Sequence, residues 1–152
     1  MKRRVNWGMV LSHHPPCQYN RTFTLLGIRF CVRCTGILAG ILLWVIVFYL
    51  TDLPFYLTFI TGFLFPLPAI LNFTLNELGK RKNSNSKRTI TGILMGLAIG
   101  TAFGFLLTGR IWPGIAIIAW IILLEFAVAL ILRQAGVLDK FIREYEDAVY
   151  KD

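Results

Sequence analysis

A chain of 152 residues has the length of one domain. Of its residues 56% are hydrophobic and 16% charged, with a mean hydropathy of +0.63, whereas an average soluble domain carries about 25% charged residues. Too few polar groups remain to cover a globular surface, so a lipid bilayer is the expected solvent and partner. The net charge of +8 would raise nucleic acid as a partner. The basic residues are instead bunched between apolar runs, as in the loops of a membrane protein, and no nucleic-acid partner is expected.

Residues 1–34 form the first unit. Met1-Lys2-Arg3-Arg4 resembles the basic start of a signal peptide, but Val5 to Leu11 is short and interrupted by Asn6, and Ser12-His13-His14-Pro15-Pro16 follows. Without an adequate apolar region or a small-residue cleavage site, the expectation is an uncleaved, compact, partly interfacial segment.

Four apolar runs follow. Cys34–Thr51, Leu53–Asn76 and Thr89–Gly109 contain no charge, and Ile111–Leu132 contains only Glu125. About 20 apolar residues span the hydrocarbon core as a helix. The expected fold is therefore an all-α bundle over 35–132, with transmembrane helices near 35–52, 54–78, 90–108 and 111–132. The connections at Asp52–Pro54 and Thr108–Arg110 make two tight hairpins. In the tail, 133–152, Gly136 is placed to end the fourth helix. Leu138, Phe141, Ile142, Tyr145 and Val149 then recur at helical spacing, which predicts a short amphipathic helix on the headgroups or on the bundle.

Fifteen of the sixteen basic residues fall before the first span, between the second and third, or after the fourth; Arg110 stands alone on the other side. By the positive-inside rule both termini are expected in the cytoplasm, with Tyr49, Tyr56 and Trp112 in an aromatic belt at the opposite boundary.

Gly92, Gly96, Gly100 and Gly104 recur every four residues on the third span, and Gly36 and Gly40 open the first. Such stripes let helix backbones approach closely in lipid, where water does not drive helices together. Gly62, Pro66 and Pro68 predict a bend in the second span, because each proline removes a donor and clashes with the carbonyl four residues back.

The three cysteines all precede or open the first span, on the side expected to be reducing, where structural disulfides are disfavoured. Cys31 and Cys34 form a C-x-x-C motif, Cys17 lies fourteen residues earlier, and His13 and His14 lie four and three residues before Cys17. Soft donors in two close pairs suit a tetrahedral zinc site, with Cys17, Cys31, Cys34 and either His13 or His14 as ligands. Thr35 is placed to cap the first span, which would set Cys34 beside Arg33 at the positive end of the helix and favour a thiolate. That environment suits a metal ligand and a redox thiol equally, and inert cysteines are the third reading.

The run Cys17-Gln18-Tyr19-Asn20-Arg21-Thr22-Phe23, with Gly27, Phe30-Cys31-Val32-Arg33-Cys34-Thr35-Gly36 and Gly40, resembles the signature of the domain-of-unknown-function 2085 family of small membrane proteins. Gly79, Asn85, Arg88, Thr91-Gly92 and Gly96 resemble its second block. The chain departs from the pattern at Gln18, where the family has His, and at Asn72 and Asn76, where it has Asp and Gln. The resemblance implies a polytopic membrane protein with a shared Cys/Arg motif and brings no activity.

Glu125 is the one ionisable residue well inside a span, about 10 Å from its cytoplasmic end at roughly 1.5 Å per residue. Asn72 lies at comparable depth, with Asn76 one turn below it and Glu77 and Arg88 near the mouth. Glu125, Asn72, Asn76, Arg88, Arg33 and Arg21 are therefore candidates for one polar cluster, serving either as an interhelical clamp or as a functional cavity. Two classes of function stay open. One is a non-enzymatic module for assembly, transport or sensing, acting alone, as a homo-oligomer or in a larger membrane complex. The other is a small membrane enzyme using Cys31 and Cys34 for thiol-redox or metal chemistry. No phosphate-binding glycine loop, His-Glu-x-x-His or Gly-x-Ser-x-Gly motif is present. A topology reporter placed in the 79–89 loop or after residue 152 should read cytoplasmic, and one at Thr108–Arg110 should read outside; an odd number of crossings would end the four-helix reading.

Overall fold

A chain leaving water must close its own backbone hydrogen bonds, and long apolar runs do so as helices. The computed structural model describes residues 16–51, 53–79, 84–137, 139, 142 and 143, with the side chains of residues 16–18 and 49 left undescribed. A 3-10 helix, Pro16–Arg21, leads into strands β1 (Thr22–Leu25) and β2 (Ile28–Cys31). The helices are α1 (Val32–Leu50), α2 (Phe55–Leu64), α3 (Pro66–Glu77), α4 (Asn85–Leu107) and α5 (Ile111–Gln134). The segments Phe55–Glu77, Asn85–Leu107 and Ile111–Gln134 are long and apolar enough to cross a membrane, and α1 holds the shorter apolar stretch Val32–Phe48. Most of the predicted C-terminal amphipathic helix falls outside the described residues.

The distribution of side-chain size is that of a lipid-solvated bundle. Leu38, Leu42 and Ile46 of α1 and Ile122, Leu123 and Phe126 of α5 are exposed, while Ala98, Ala102, Phe105 and Ile117 are buried. Threonines enter the interior by returning their hydroxyls to their own helix. Buried Thr101 donates to the carbonyl of Leu97 at 2.8 Å, and Thr58 to that of Pro54 at 3.1 Å.

Helix α4 is the central element, and its longest contact is with α1. A methyl built on Gly36 would lie 2.6 Å from the Thr89 carbonyl oxygen, and one on Gly92 would lie 2.6 Å from that of Arg33. Gly40 meets the carbonyl of Ile93 and Gly96 that of Ile37 more closely still. Further along, Gly100 receives the side chain of Trp44, and Gly104 faces Trp44 and Phe48. The partners advance together along both helices, so α1 and α4 run parallel, with glycine Cα–H groups turned toward the carbonyls opposite.

The second predicted span is interrupted at Phe65, which separates α2 from α3. Pro66 and Pro68 cannot donate to carbonyls one turn back. The neighbouring helix supplies a donor beside the break, from Trp120 Nε1 to the Phe63 carbonyl at 3.1 Å. Gly62 also makes a notch for Ile117, whose Cδ1 would lie 2.5 Å from an added methyl. The turn from α4 to α5 is closed by Gly109 at φ 76°, with Gly109 N–H donating to Leu106 and Arg110 N–H to Phe105; this paired arrangement needs a left-handed residue. Tyr56 and Trp112, expected in an aromatic belt, are exposed near the two short connections, and the side chain of Tyr49 lies outside the described residues.

Two boundaries differ from the sequence expectation. Helix α1 begins at Val32, so Arg33 and Cys34 stand in its first turn and Cys31 is the N-cap. Thr35 does not cap it; its hydroxyl bonds back to the Cys31 carbonyl at 3.0 Å. Helix α4 begins at Asn85, because Ser84 accepts the Lys87 N–H at 3.4 Å and starts the helix five residues before the expected position 90.

Gly96→Leu should lower stability by about 3 kcal/mol or more, because the clash is with backbone that cannot repack. Gly104→Ala should be tolerated, since its nearest neighbour, Trp44 Nε1, stands 3.5 Å away. Thermal unfolding of both variants in detergent checks the contrast, and equal melting temperatures would show that the stripe does not carry the α1–α4 contact.

A candidate arginine and cysteine site at the bundle mouth

The site starts from the N-terminal hairpin. Leu26 and Gly27 both have positive φ, 51° and 77°, which gives the two-residue turn whose twist matches antiparallel strands. The register pairs Thr22 with Cys31 and Phe23 with Phe30, so the 3-10 helix carrying Cys17 is returned to the Cys31 end of the hairpin. Thr22 donates to the Tyr19 carbonyl at 2.8 Å, and the Arg29 guanidinium lies 3.9 Å from the centre of the Tyr19 ring. These strands were not among the expected elements; their only strong signal in the sequence is Gly27 at the turn.

The hairpin is tied to the bundle by a fork. Arg21 Nη1 lies 2.8 Å from Glu77 Oε1 and Nη2 lies 3.4 Å from Oε2, with 22% and 13% of the two side chains exposed. Asn76 adds a bond to Glu77 Oε1 at 2.9 Å. Arg88 is buried at the first turn of α4 and donates to Asn85 at 3.2 Å. Arg33, in the first turn of α1, lies over the Phe73 ring at 4.7 Å, and its buried Nε has no hydrogen-bond partner among the described residues. Arg21, Arg33 and Arg88 are close enough to act on one another electrostatically, and Glu77 is the one carboxylate acting on both Arg33 and Arg88 among the described residues. With neutral thiols the group carries a net charge of +2, from three guanidiniums and one carboxylate.

The thiols stand at the same place. Cys31 is buried and Cys34 exposed, and the two side chains are hydrogen-bonded to each other. No group of three His, Cys, Asp or Glu side chains arranged to hold a metal occurs among the described residues. His13, His14 and the side chain of Cys17 lie outside them.

Of the six residues expected in one polar cluster, Arg21, Arg33, Arg88 and Asn76 do gather around Glu77. Asn72 faces Thr91 instead, at 3.5 Å. Glu125 is exposed on α5 and has no hydrogen-bond or ionic partner among the described residues. It lines a cavity of about 410 Å³ between α1, α3, α4 and α5. Arg33 lines the same cavity, with Ile37, Ile70 and Phe73. The sequence marks Glu77 only as lying near the mouth and gives no sign of Phe73, whose role follows from its place one turn before Glu77 on α3.

Apolar helices with bulky side chains turned outward, carrying a charged site at one end, define a polytopic membrane protein. The chain belongs to the family described as Predicted membrane protein (DUF2085), whose model matches residues 17–103, more than half of its length. No curated protein and no solved structure matches the chain.

The Arg21–Glu77 fork should carry a coupling energy of about 1 to 2 kcal/mol in a double-mutant cycle of Arg21→Gln and Glu77→Gln. It should also protect the hairpin from proteolysis. Additive single effects would mean that the hairpin is held by other contacts.

Proposed function

We propose that the protein is an integral membrane module, with both termini in the cytoplasm, whose N-terminal segment binds one zinc ion and serves an assembly, transport or sensing role. The observation that carries this reading is the hairpin register. By pairing Thr22 with Cys31 it returns the chain of Cys17 to the turn that holds Cys31 and Cys34. Three thiolates and either His13 or His14 make a soft, tetrahedral donor set, which favours zinc over hard cations. Three thiolates around a divalent ion leave one negative charge, which the excess positive charge of Arg33 and Arg88 offsets. The orientation is supported by the fifteen basic residues gathered on one side.

The exposure of Cys34 beside Cys31 favours a second reading, a membrane dithiol enzyme. There the pair would pass two electrons and two protons to a partner disulfide and become a disulfide itself. Elemental analysis of purified protein separates the two. The zinc reading expects one zinc per chain, lost in Cys31→Ser, with residues 1–34 becoming protease-sensitive while the helices stay inserted. Metal-free protein, prepared without chelator and with all three thiols reduced and titratable, would sink it, and a Cys31–Cys34 disulfide cycling under mild oxidant would establish the dithiol.

A further inference from the structure

We propose that the cavity between α1, α3, α4 and α5 holds one hydrocarbon chain of an anionic phospholipid, with the lipid phosphate seated on Arg33 and Arg88. The volume, about 410 Å³, falls in the range of small-molecule sites. The wall is apolar along its length, with Ile37, Ile70, Met95 and Ile99 among the lining residues. It also reaches the outer surface of the bundle, because Glu125 and Ala129, both exposed on α5, line it too. In a bilayer that surface is bathed in acyl chains, so a lipid tail enters sideways without passing through water.

Charge selects the head. Arg33 lines the cavity itself, and its buried Nε lacks an acceptor among the described residues. Arg88 is near enough to repel it. Glu77, the carboxylate beside them, is already engaged by Arg21 and Asn76. Two positive charges are thus left over at one end of an apolar space. Planar guanidiniums match phosphate oxygens by paired hydrogen bonds; a zwitterionic headgroup offers the same phosphate but carries with it a cation that two uncompensated guanidiniums repel, so the net-anionic lipid is preferred. The opposite end of the cavity sets the direction. Glu125 lies seven residues before Leu132, roughly 10 Å further along α5, and the lining residues between them, Val128 and Ala129, are apolar, which suits the tail. The inference stands on the arginines and the cavity and does not rest on the zinc reading.

The test uses the full chain purified in mild detergent, with lipid retention counted by native mass spectrometry. Dioleoyl phosphatidylglycerol and dioleoyl phosphatidylcholine are offered in equal amounts, and dihexanoyl phosphatidylglycerol or inorganic phosphate is then added as competitor. The expected result is retention of the anionic lipid over the zwitterionic one by roughly tenfold, with little displacement by either competitor. Arg33→Gln should bring the ratio near one, and Met95→Trp, which fills the cavity, should lower retention of both lipids. Equal retention of the two lipids by the wild-type chain overturns the proposal without need of any variant. Displacement by inorganic phosphate would make this a site for a free anion, and undiminished retention in a folded Met95→Trp protein would remove the chain from the cavity; either result overturns it as well.

Discussion

The backbone contact between α1 and α4 is the constraint on which the rest of the molecule depends. In lipid, apolar side chains gain nothing by leaving their solvent, so attraction between helices comes from close packing and weak polar contact. Gly36 and Gly40 set against Gly92 and Gly96 allow both, at a separation that no side chain would permit. Because the two helices run parallel, their N-terminal turns are also forced together. Arg33 stands three residues before Gly36 and Arg88 four before Gly92, and the Arg33 carbonyl touches the Gly92 position itself. The glycines that hold the bundle thereby place two guanidiniums side by side.

That placement carries an electrostatic cost, and the surrounding structure offsets part of it. The α3 helix ends at Glu77, beside both arginines, and the same carboxylate receives Arg21 from the N-terminal hairpin. Phe73, one turn earlier, offers its ring face to Arg33, a favourable contact for a cation with few polar neighbours. The hairpin is therefore more than a cover. It brings a third cation to a site with one carboxylate among the described residues, and the C-x-x-C motif stands at the junction where the hairpin becomes α1. The thiols stand beside Arg33, but they are hydrogen-bonded to each other and Cys31 is buried, and both features favour the neutral thiol over the thiolate that the sequence position suggests.

How much of this was legible follows from how local each signal is. Apolar runs and four-residue glycine spacing are written along the chain, so the helical segments and the contact stripe could be read directly. Pro66 and Pro68 gave the expected bend in the second span for the same reason, and the structure interrupts the helix there, at Phe65. The start of α1 was misread because the eye looks for a capping hydroxyl, and Thr35 offers one. The helix instead continues backward from its apolar run through Arg33 and Cys34, held by the strand before it. Glu125 shows a different limit. On a helix apolar all round, one acidic residue carries no phase information, and only the packing of α5 against α4 decides whether it faces the bundle or the surface. The meeting of Arg21 with Glu77 spans 56 positions and needed the hairpin, the break at Phe65 and the glycine contact all to be in place.

The two halves of the bundle are built to different ends, and the break at Phe65 divides them. On the far side, α2 fills the interior with aromatic rings. Phe59 meets Phe63 at 4.9 Å and Phe105 at 6.4 Å, and Phe63 meets Trp120 at 6.0 Å. Ile117 seals that layer by entering the notch at Gly62. On the near side, α3 presents Ala69 and Ile70 where α2 presents phenylalanines, and the space left over is the cavity that Arg33 and Glu125 share. A helix bent at proline can change its residues and its approach to a neighbour at mid-membrane; a straight helix would carry the same contact through both leaflets. The outcome is a bundle closed by rings at the end of the short connections and hollow at the end where the arginines and thiols stand. The hollow reaches the side of the bundle at Glu125 and Ala129, which are exposed on α5, while the rings pack the other half.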